Sequence, residues 1–330
     1  MNNSTRKNCE LLIQNWRSVK NVFPWDTSLI NLSCAGVYAA KGLRVDEVKL
    51  RQCKQLLINQ VGPFSNFKSM SRNPLVTMMA ISEDGEQALK RGLEVYRLLK
   101  EKFWTSTYLP LAAMIIAQMV EPYRYQEIVT RTRQMYDKMK AEHPFLTSGE
   151  DSALCTLLAV SDRSIDSLVY DMNACYQILK PKLFYANAVQ ALSQVLALGE
   201  GSPNEKCRKT MELFDKLKDR GYKYGTSYEL STLGVLALVD LDINQVVSEI
   251  IEIDTWLSGQ KGFGFFSSIS KKQRLMYAGI LAQAEHVPAD TLTTAAVNGT
   301  VALIVAQQAA LCATIAASSA AASSASSASN

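Results

Sequence analysis

The sequence predicts an all-α fold of tandem helical hairpins, and three observations predict it. An aromatic or apolar residue, an apolar one three places later and then lysine recur from Trp16, Tyr96, Tyr136, Tyr176 and Phe214. From Tyr96 onward the steps are 40, 40 and 38 residues, while Trp16 to Tyr96 spans two such steps with Leu56 midway. A second signal keeps the same beat: apolar triplets end in Ala39, Ala80, Ala117, Ala159, Ala197, Ala237 and Ala282. Around both signals the apolar residues fall at i, i+3 or i+4 and i+7 rather than in alternation, which is the mark of helices.

A leading long helix is expected at roughly 4–22, and each later beat reads as one long and one short helix. The long ones are amphipathic: Leu89, Leu93, Tyr96, Leu99 and Phe103 form one stripe, with charged and polar residues on the other faces. The short ones, such as Tyr228–Leu238, carry almost no charge beyond the first turn, so they must be buried on most sides. Pro74, Pro110 and Pro203 mark helix starts, and Gly199, Gly221 and Gly259 mark ends. Ser or Thr before the short helices (Thr27, Thr105, Thr147, Thr226, Ser267) is expected to cap them. Seven hairpins result, with the short helices in one layer and the long ones in the other. A period near 40 fits HEAT-like arrays rather than the 34-residue TPR. Such an array closes into an α/α toroid or remains a strongly curved α-solenoid, and the sequence leaves both open.

Residues 1–290 are therefore expected to form a single helical-repeat domain, followed by an uncharged helix at 291–317 and a flexible Ala/Ser-rich tail at 318–330. No charged residue follows Asp290. The stretch 297–317 has about the length that spans a bilayer. Asn298, Gln307, Gln308 and the lack of flanking Lys, Arg, Trp or Tyr argue against insertion. A helix that caps the array is the favoured reading there, with a partner-binding or self-associating helix as the other.

The composition excludes several classes of function. Of 330 residues 48% are hydrophobic and 20% charged, which is globular, and a net charge of +4 without basic clusters offers neither a nucleic-acid surface nor a polybasic membrane patch. Seven dispersed cysteines without a C-x-x-C pair speak against disulfides and zinc, and for a reducing cytoplasm. The N-terminal apolar run is too short for a signal peptide.

Chemistry is thinly marked. His143 and His286 each sit near a helix end without a ligand partner at i+4, so neither a metal nor a cofactor is expected. Lys261-Gly262-Phe263-Gly264 lacks the strand and the third glycine of a phosphate loop. It reads as a loop whose phenylalanines pack between hairpins, as do Phe103, Phe145, Phe184 and Tyr222 in the same place after their helices. The polar residues at the starts of the short helices remain: Asn31, Asn73, Tyr108, Glu150, Asp151, Asn187, Tyr228 and Glu229. If those helices run parallel, these residues line one rim of the concave face. Glu150-Asp151 is the best place for a working carboxylate, although acids in a first turn also simply suit the helix dipole. Methionines and cysteines of the short helices read as core filling.

The run Thr226–Leu238, the long helix ending Trp256-Leu257-Ser258-Gly259-Gln260 and the loop Lys261–Gly264 resemble repeats of α/α-toroid proteins of the prenyltransferase and terpene cyclase type. The Asp-rich cyclase motif and the Asp/Cys/His zinc set of those enzymes are missing, so their chemistry is not implied. Taken whole, with its Ala/Ser-rich end, the chain resembles an uncharacterised domain-of-unknown-function family of Gram-positive bacteria. The expected function is a non-catalytic binding or scaffold module that takes a protein, peptide or small-molecule partner on its concave face. The alternative is an enzyme with its site in the mouth of an α/α ring, acting on a small or apolar ligand.

Overall fold

The computed structural model describes residues 1–286 except Met70, 239–241 and Phe266, and gives Ala40, Glu150 and 283–286 as backbone only. The expected helix at 291–317 and tail at 318–330 lie outside the described residues. Fourteen α-helices and no strand occur among those described. They are α1 (Asn3–Val22), α2 (Ser28–Ala40), α3 (Glu47–Gln60), α4 (Arg72–Ile81), α5 (Gly85–Lys100), α6 (Leu109–Met119) and α7 (Tyr125–Glu142). There follow α8 (Ser152–Val160), α9 (Ile165–Leu179), α10 (Ala186–Leu198), α11 (Pro203–Asp219), α12 (Leu230–Ala237), α13 (Ile243–Ser258) and α14 (Lys271–His286).

The even-numbered helices up to α12 are the charge-poor ones, and burial follows. Every residue from Leu109 to Ala117 in α6, from Ser152 to Ala159 in α8 and from Leu230 to Ala237 in α12 is buried. Full burial of one Leu, Ile or Val contributes about 1.5–3 kcal/mol, so these helices carry much of the core. Two of their hydroxyls bond back one turn: Thr156 Oγ1 donates to the Ser152 carbonyl at 2.8 Å and Ser193 Oγ to that of Val189 at 2.8 Å.

The long helices bury one stripe and cap their neighbours. Arg131 of α7 donates to the carbonyls of Ala159, Ser161 and Arg163 at 3.0, 3.2 and 2.9 Å, and Lys206 of α11 to that of Gly199 at 2.9 Å. These cations satisfy carbonyls orphaned where α8 and α10 end. Side-chain N-caps belong mainly to the long helices: Asp46, Asp84, Ser202 and Asp242 cap α3, α5, α11 and α13. The expected Ser/Thr caps on the short helices are largely absent, because α6, α8 and α12 begin at Tyr108, Asp151 and Glu229 without a side-chain cap bond.

The chain divides into two compact units. Residues 17–34 and 45–169 form the first, in which α3 packs on α4, α5 on α6 and α7 on α8, while α4, α6 and α8 pack on one another in succession. Its core includes Val95, Leu99, Ala112, Ala113, Ile116, Tyr125 and Val129. Residues 1–16, 35–44 and, among the described residues, those from 170 to 286 form the second. There α10, α12 and α14 pack in succession, backed by α11 and α13. The first helix up to Trp16 belongs to it: Trp16 meets Phe263 edge-on, ring centroids 5.2 Å apart.

Gly262, beside that contact, has φ +96°, and a β-carbon there would come within 2.5 Å of the Trp16 ring. Gly262→Ala is therefore expected to lower stability by about 1–3 kcal/mol in urea titrations. Gly62→Ala, at a position with open space and ordinary backbone, stays within about 0.5 kcal/mol of the parent.

Candidate functional site

The loops that lead into the short helices lie side by side within the first unit. Arg72, opening α4, donates to Asp26 before α2 at 3.0 Å. Ser71 Oγ donates to the Thr107 carbonyl before α6 at 2.8 Å. Gly149, before α8, lies so near Ser106 that a β-carbon would come within 3.2 Å of the serine's. In the second unit Gln273 of α14 donates to the Tyr228 hydroxyl before α12 at 2.9 Å. Each unit thus gathers its short-helix starts along an edge.

Most of the rim residues singled out from the sequence are occupied with building that edge. Asn31 is buried and donates to the Phe23 carbonyl at 3.0 Å. Asn73, also buried, accepts from Arg72 Nε at 3.1 Å. The Asn31 Oδ1 and Asn73 Nδ2 atoms have no hydrogen-bond partner among the described residues. Tyr108 is half-buried and Asn187 is exposed at the start of α10. Asp151 accepts the Ser148 amide at 2.8 Å, and buried Glu229 accepts the Ser227 amide at 3.1 Å. Both carboxylates thereby close the turn into their own helix. The Glu150 side chain lies outside the described residues. Glu229 packs over Gly225, where a β-carbon would come within 2.2 Å of it. Near it the Tyr224 and Thr232 hydroxyls pair at 2.6 Å, and burial raises the pKa of Tyr224 and Tyr228.

Two acid–base pairs, absent from the sequence reading, lie buried in the second unit. Lys206 meets Asp171 at 3.1 Å, and Arg274 forks onto Asp254 at 2.8 and 3.1 Å while donating to the Phe263 carbonyl at 2.8 Å. On an amphipathic helix a lysine reads as wet, and only its carboxylate partner on another helix gives it away.

The loops themselves differ from expectation. Phe263 and Phe103 pack as predicted, Phe103 meeting Tyr136 edge-on at 5.5 Å. Phe145 and Phe184, however, are 99% and 84% exposed. They continue a series that includes Trp25, Phe64, Trp104 and Phe265 at 96, 98, 95 and 94%. The reason is local: each stands at the tip of its loop, and the neighbouring apolar residue of four of these loops, Phe23, Phe67, Leu183 or Phe263, takes the buried place. Trp104 itself lines a pocket of about 350 Å³ together with Phe103, Arg133, Tyr136, Asp137 and Lys140. Arg133 lies 5.3 and 5.5 Å from the Phe103 and Tyr136 ring centroids and donates to Asp137 and the Lys102 carbonyl, so its charge is already matched.

No group of His, Cys, Asp and Glu that could hold a metal occurs among the described residues. Nor is any described helix long and apolar enough to cross a membrane. His143 forms the C-cap of α7, and the His286 side chain lies outside the described residues. The six described cysteines are free and buried, without a low-pKa thiolate in an open site. Burial pushes the Cys34 thiol from 9.0 up to about 12, and Asp26 adds to the rise.

A family described as a protein of unknown function, DUF4003, matches residues 15–310. The uncharacterised protein YeaA of Bacillus subtilis (strain 168) is 22% identical over 304 residues, covering 89% of this chain and 90% of YeaA. No solved structure matches the chain.

Arg274→Met leaves Asp254 buried and unpaired, and urea unfolding is expected to show a loss of about 3–5 kcal/mol. The raised Cys34 pKa sets a sign with pH. The unfolded thiol ionises near 9.0, the folded one only near 12, so this contribution to stability is whole below pH 9 and is lost as pH rises towards 12. Urea midpoints of the parent and of Cys34→Ala, compared across that window, should show the parent falling more steeply.

Proposed function

The chain belongs to the DUF4003 family, and we propose that it serves as a non-catalytic binding or scaffold module in the cytoplasm. One observation carries the reading: the groups capable of chemistry are committed to structure, while four of the most exposed aromatic side chains stand where short helices of the first unit begin. Asp151 and Glu229 close turns, Lys206–Asp171 and Arg274–Asp254 neutralise one another, and the cysteines are buried. Trp25, Phe64, Trp104 and Phe145 by contrast face solvent from neighbouring loops of the first unit. Large exposed aromatic side chains on one edge mark an interaction surface.

The helical hairpins are proposed to follow one another as a repeat that bends into an α/α ring or a tightly curved solenoid. Contact of the first helix with the last long loop, through Trp16 and Phe263, favours the ring. The concave face of such an array, lined by short helices, would offer a second surface to a protein, peptide or small ligand.

A photo-crosslinking residue placed at Phe64 or Trp104 of the full chain, in its host cell, tests the assignment of the edge. Discrete adducts are expected from both positions, and none from Val48, which is exposed in the first turn of α3. Adducts equally frequent from all three, or absent from Phe64 and Trp104, overturn it.

A further inference from the structure

Two of the buried cysteines meet across a helix seam in the second unit. Cys175 lies in α9 and Cys207 in α11, 32 residues apart, and the Cys207 thiol donates to the Cys175 carbonyl at 3.8 Å. Lys206 and Asp171, paired at 3.1 Å, tie the same two helices beside them. Helices packed side by side run about 8–10 Å apart axis to axis, with α-carbons about 2.3 Å from each axis. Facing residues therefore come within the roughly 4.4–6.8 Å that a disulfide bridges between α-carbons. Cys155 by contrast meets the thioether of Met139 at 3.4 Å, which offers no second thiol.

The pair is also polarised. The neighbouring Cys175 thiol, with Lys206 and Lys182 behind it, lowers the pKa of Cys207 against the opposing effect of burial. Cys207 and burial in turn raise that of Cys175, so one sulfur yields its proton while the other keeps it. Burial raises Cys34, Cys53 and Cys155 alike. Both sulfurs of the pair are covered, yet an open groove of about 510 Å³ lies along their seam. Ile178 lines it one turn beyond Cys175, Asn204 and Met211 line it one turn to either side of Cys207, and Lys182 and Arg208 stand at it too. Residues at that spacing share a helix face, so the groove and the thiols belong to one seam.

Going beyond the binding-module reading, we infer that Cys175 and Cys207 form a reversible thiol–disulfide switch set by hydrogen peroxide. The Cys207 thiolate attacks one peroxide oxygen: a sulfur–oxygen bond forms, the oxygen–oxygen bond breaks, and the second oxygen leaves as hydroxide, which takes the proton given up by Cys207 and becomes water. Cys175 then attacks the sulfenic sulfur. A sulfur–sulfur bond forms, the sulfur–oxygen bond breaks, and the departing hydroxide leaves with the Cys175 proton as a second water. The two thiols have lost two electrons and the peroxide has gained them. A dithiol reductant reverses the step by exchange and is itself left as a disulfide. The bond ties α9 covalently to α11, two long helices that α10 separates in sequence. Cytosolic disulfides are of this transient, redox-sensing kind.

The test exposes the reduced full chain to hydrogen peroxide, alkylates the remaining thiols and maps the digest by mass spectrometry. A linked peptide holding Cys175 and Cys207 is expected at least about tenfold above any other cysteine pairing, and dithiothreitol should return both thiols. Both residues found alkylated after peroxide, cysteines linked at random, or a linkage that forms only in the urea-unfolded chain overturns the inference, as does a linkage that dithiothreitol fails to open. Cys175→Ser separates the two roles: without a second thiol, Cys207 should accumulate as a sulfenic acid that dimedone traps, at least about tenfold more than in the parent. No dimedone adduct at Cys207, in a variant whose circular dichroism matches the parent, overturns the inference equally. None of these outcomes touches the crosslinks at Phe64 and Trp104, so the switch and the binding module stand or fall separately.

Discussion

Everything in this molecule answers to the need to cover helices that have no wet side. A helix such as α6 or α12, apolar all round, is insoluble alone and exists only while neighbours enclose it. The long helices meet that need twice over. Their stripes supply the cover, and cations set along them, Arg131 and Lys206, reach the carbonyls left bare where α8 and α10 stop. Backbone groups at a buried helix end would otherwise each cost about 1–3 kcal/mol. Thr156 and Ser193 pose the same problem within short helices and solve it locally.

This division of labour explains what the residues announce and what they hide. The alternation of long and short helices was legible because periodicity and the presence or absence of charge are properties of contiguous sequence. The start of α12 was legible too, from Tyr228-Glu229. The work of Glu229 was not: it accepts an amide two residues back, and only Gly225 leaves room for its carboxylate. Capping was misread for a related reason. Ser and Thr before short helices look like caps, yet the caps that form are Asp46, Asp84, Ser202 and Asp242 at the wet ends of long helices. Likewise Lys206 and Asp171 stand 35 residues apart, and nothing in either neighbourhood foretells that they are buried together.

Of the candidate site, the place was more legible in the residues than the actors. Short-helix starts do assemble along an edge within each unit, but the carboxylates there act as architecture. The side chains that stand clear of the edge, Trp25, Phe64, Trp104 and Phe145, carry no titratable group, so a search for chemistry passes over them. Their signal in sequence was the step near 40 on an aromatic residue within a Pro-, Ser- or Thr-bearing loop. Whether such a ring points inward or outward depends on which of two neighbouring aromatic residues, Phe103 or Trp104, reaches the core.

The edge-on contact of Trp16 with Phe263 bears on the order in which the protein is made. At about 5–20 residues per second, translation delivers the loop that receives Trp16 on the order of tens of seconds after the tryptophan itself has been polymerised. During that wait the apolar stripe of α1 has no mate in its own unit beyond a few residues near position 40. In a nascent chain so arranged the indole of Trp16 waits uncovered until the ring of Phe263 has been made.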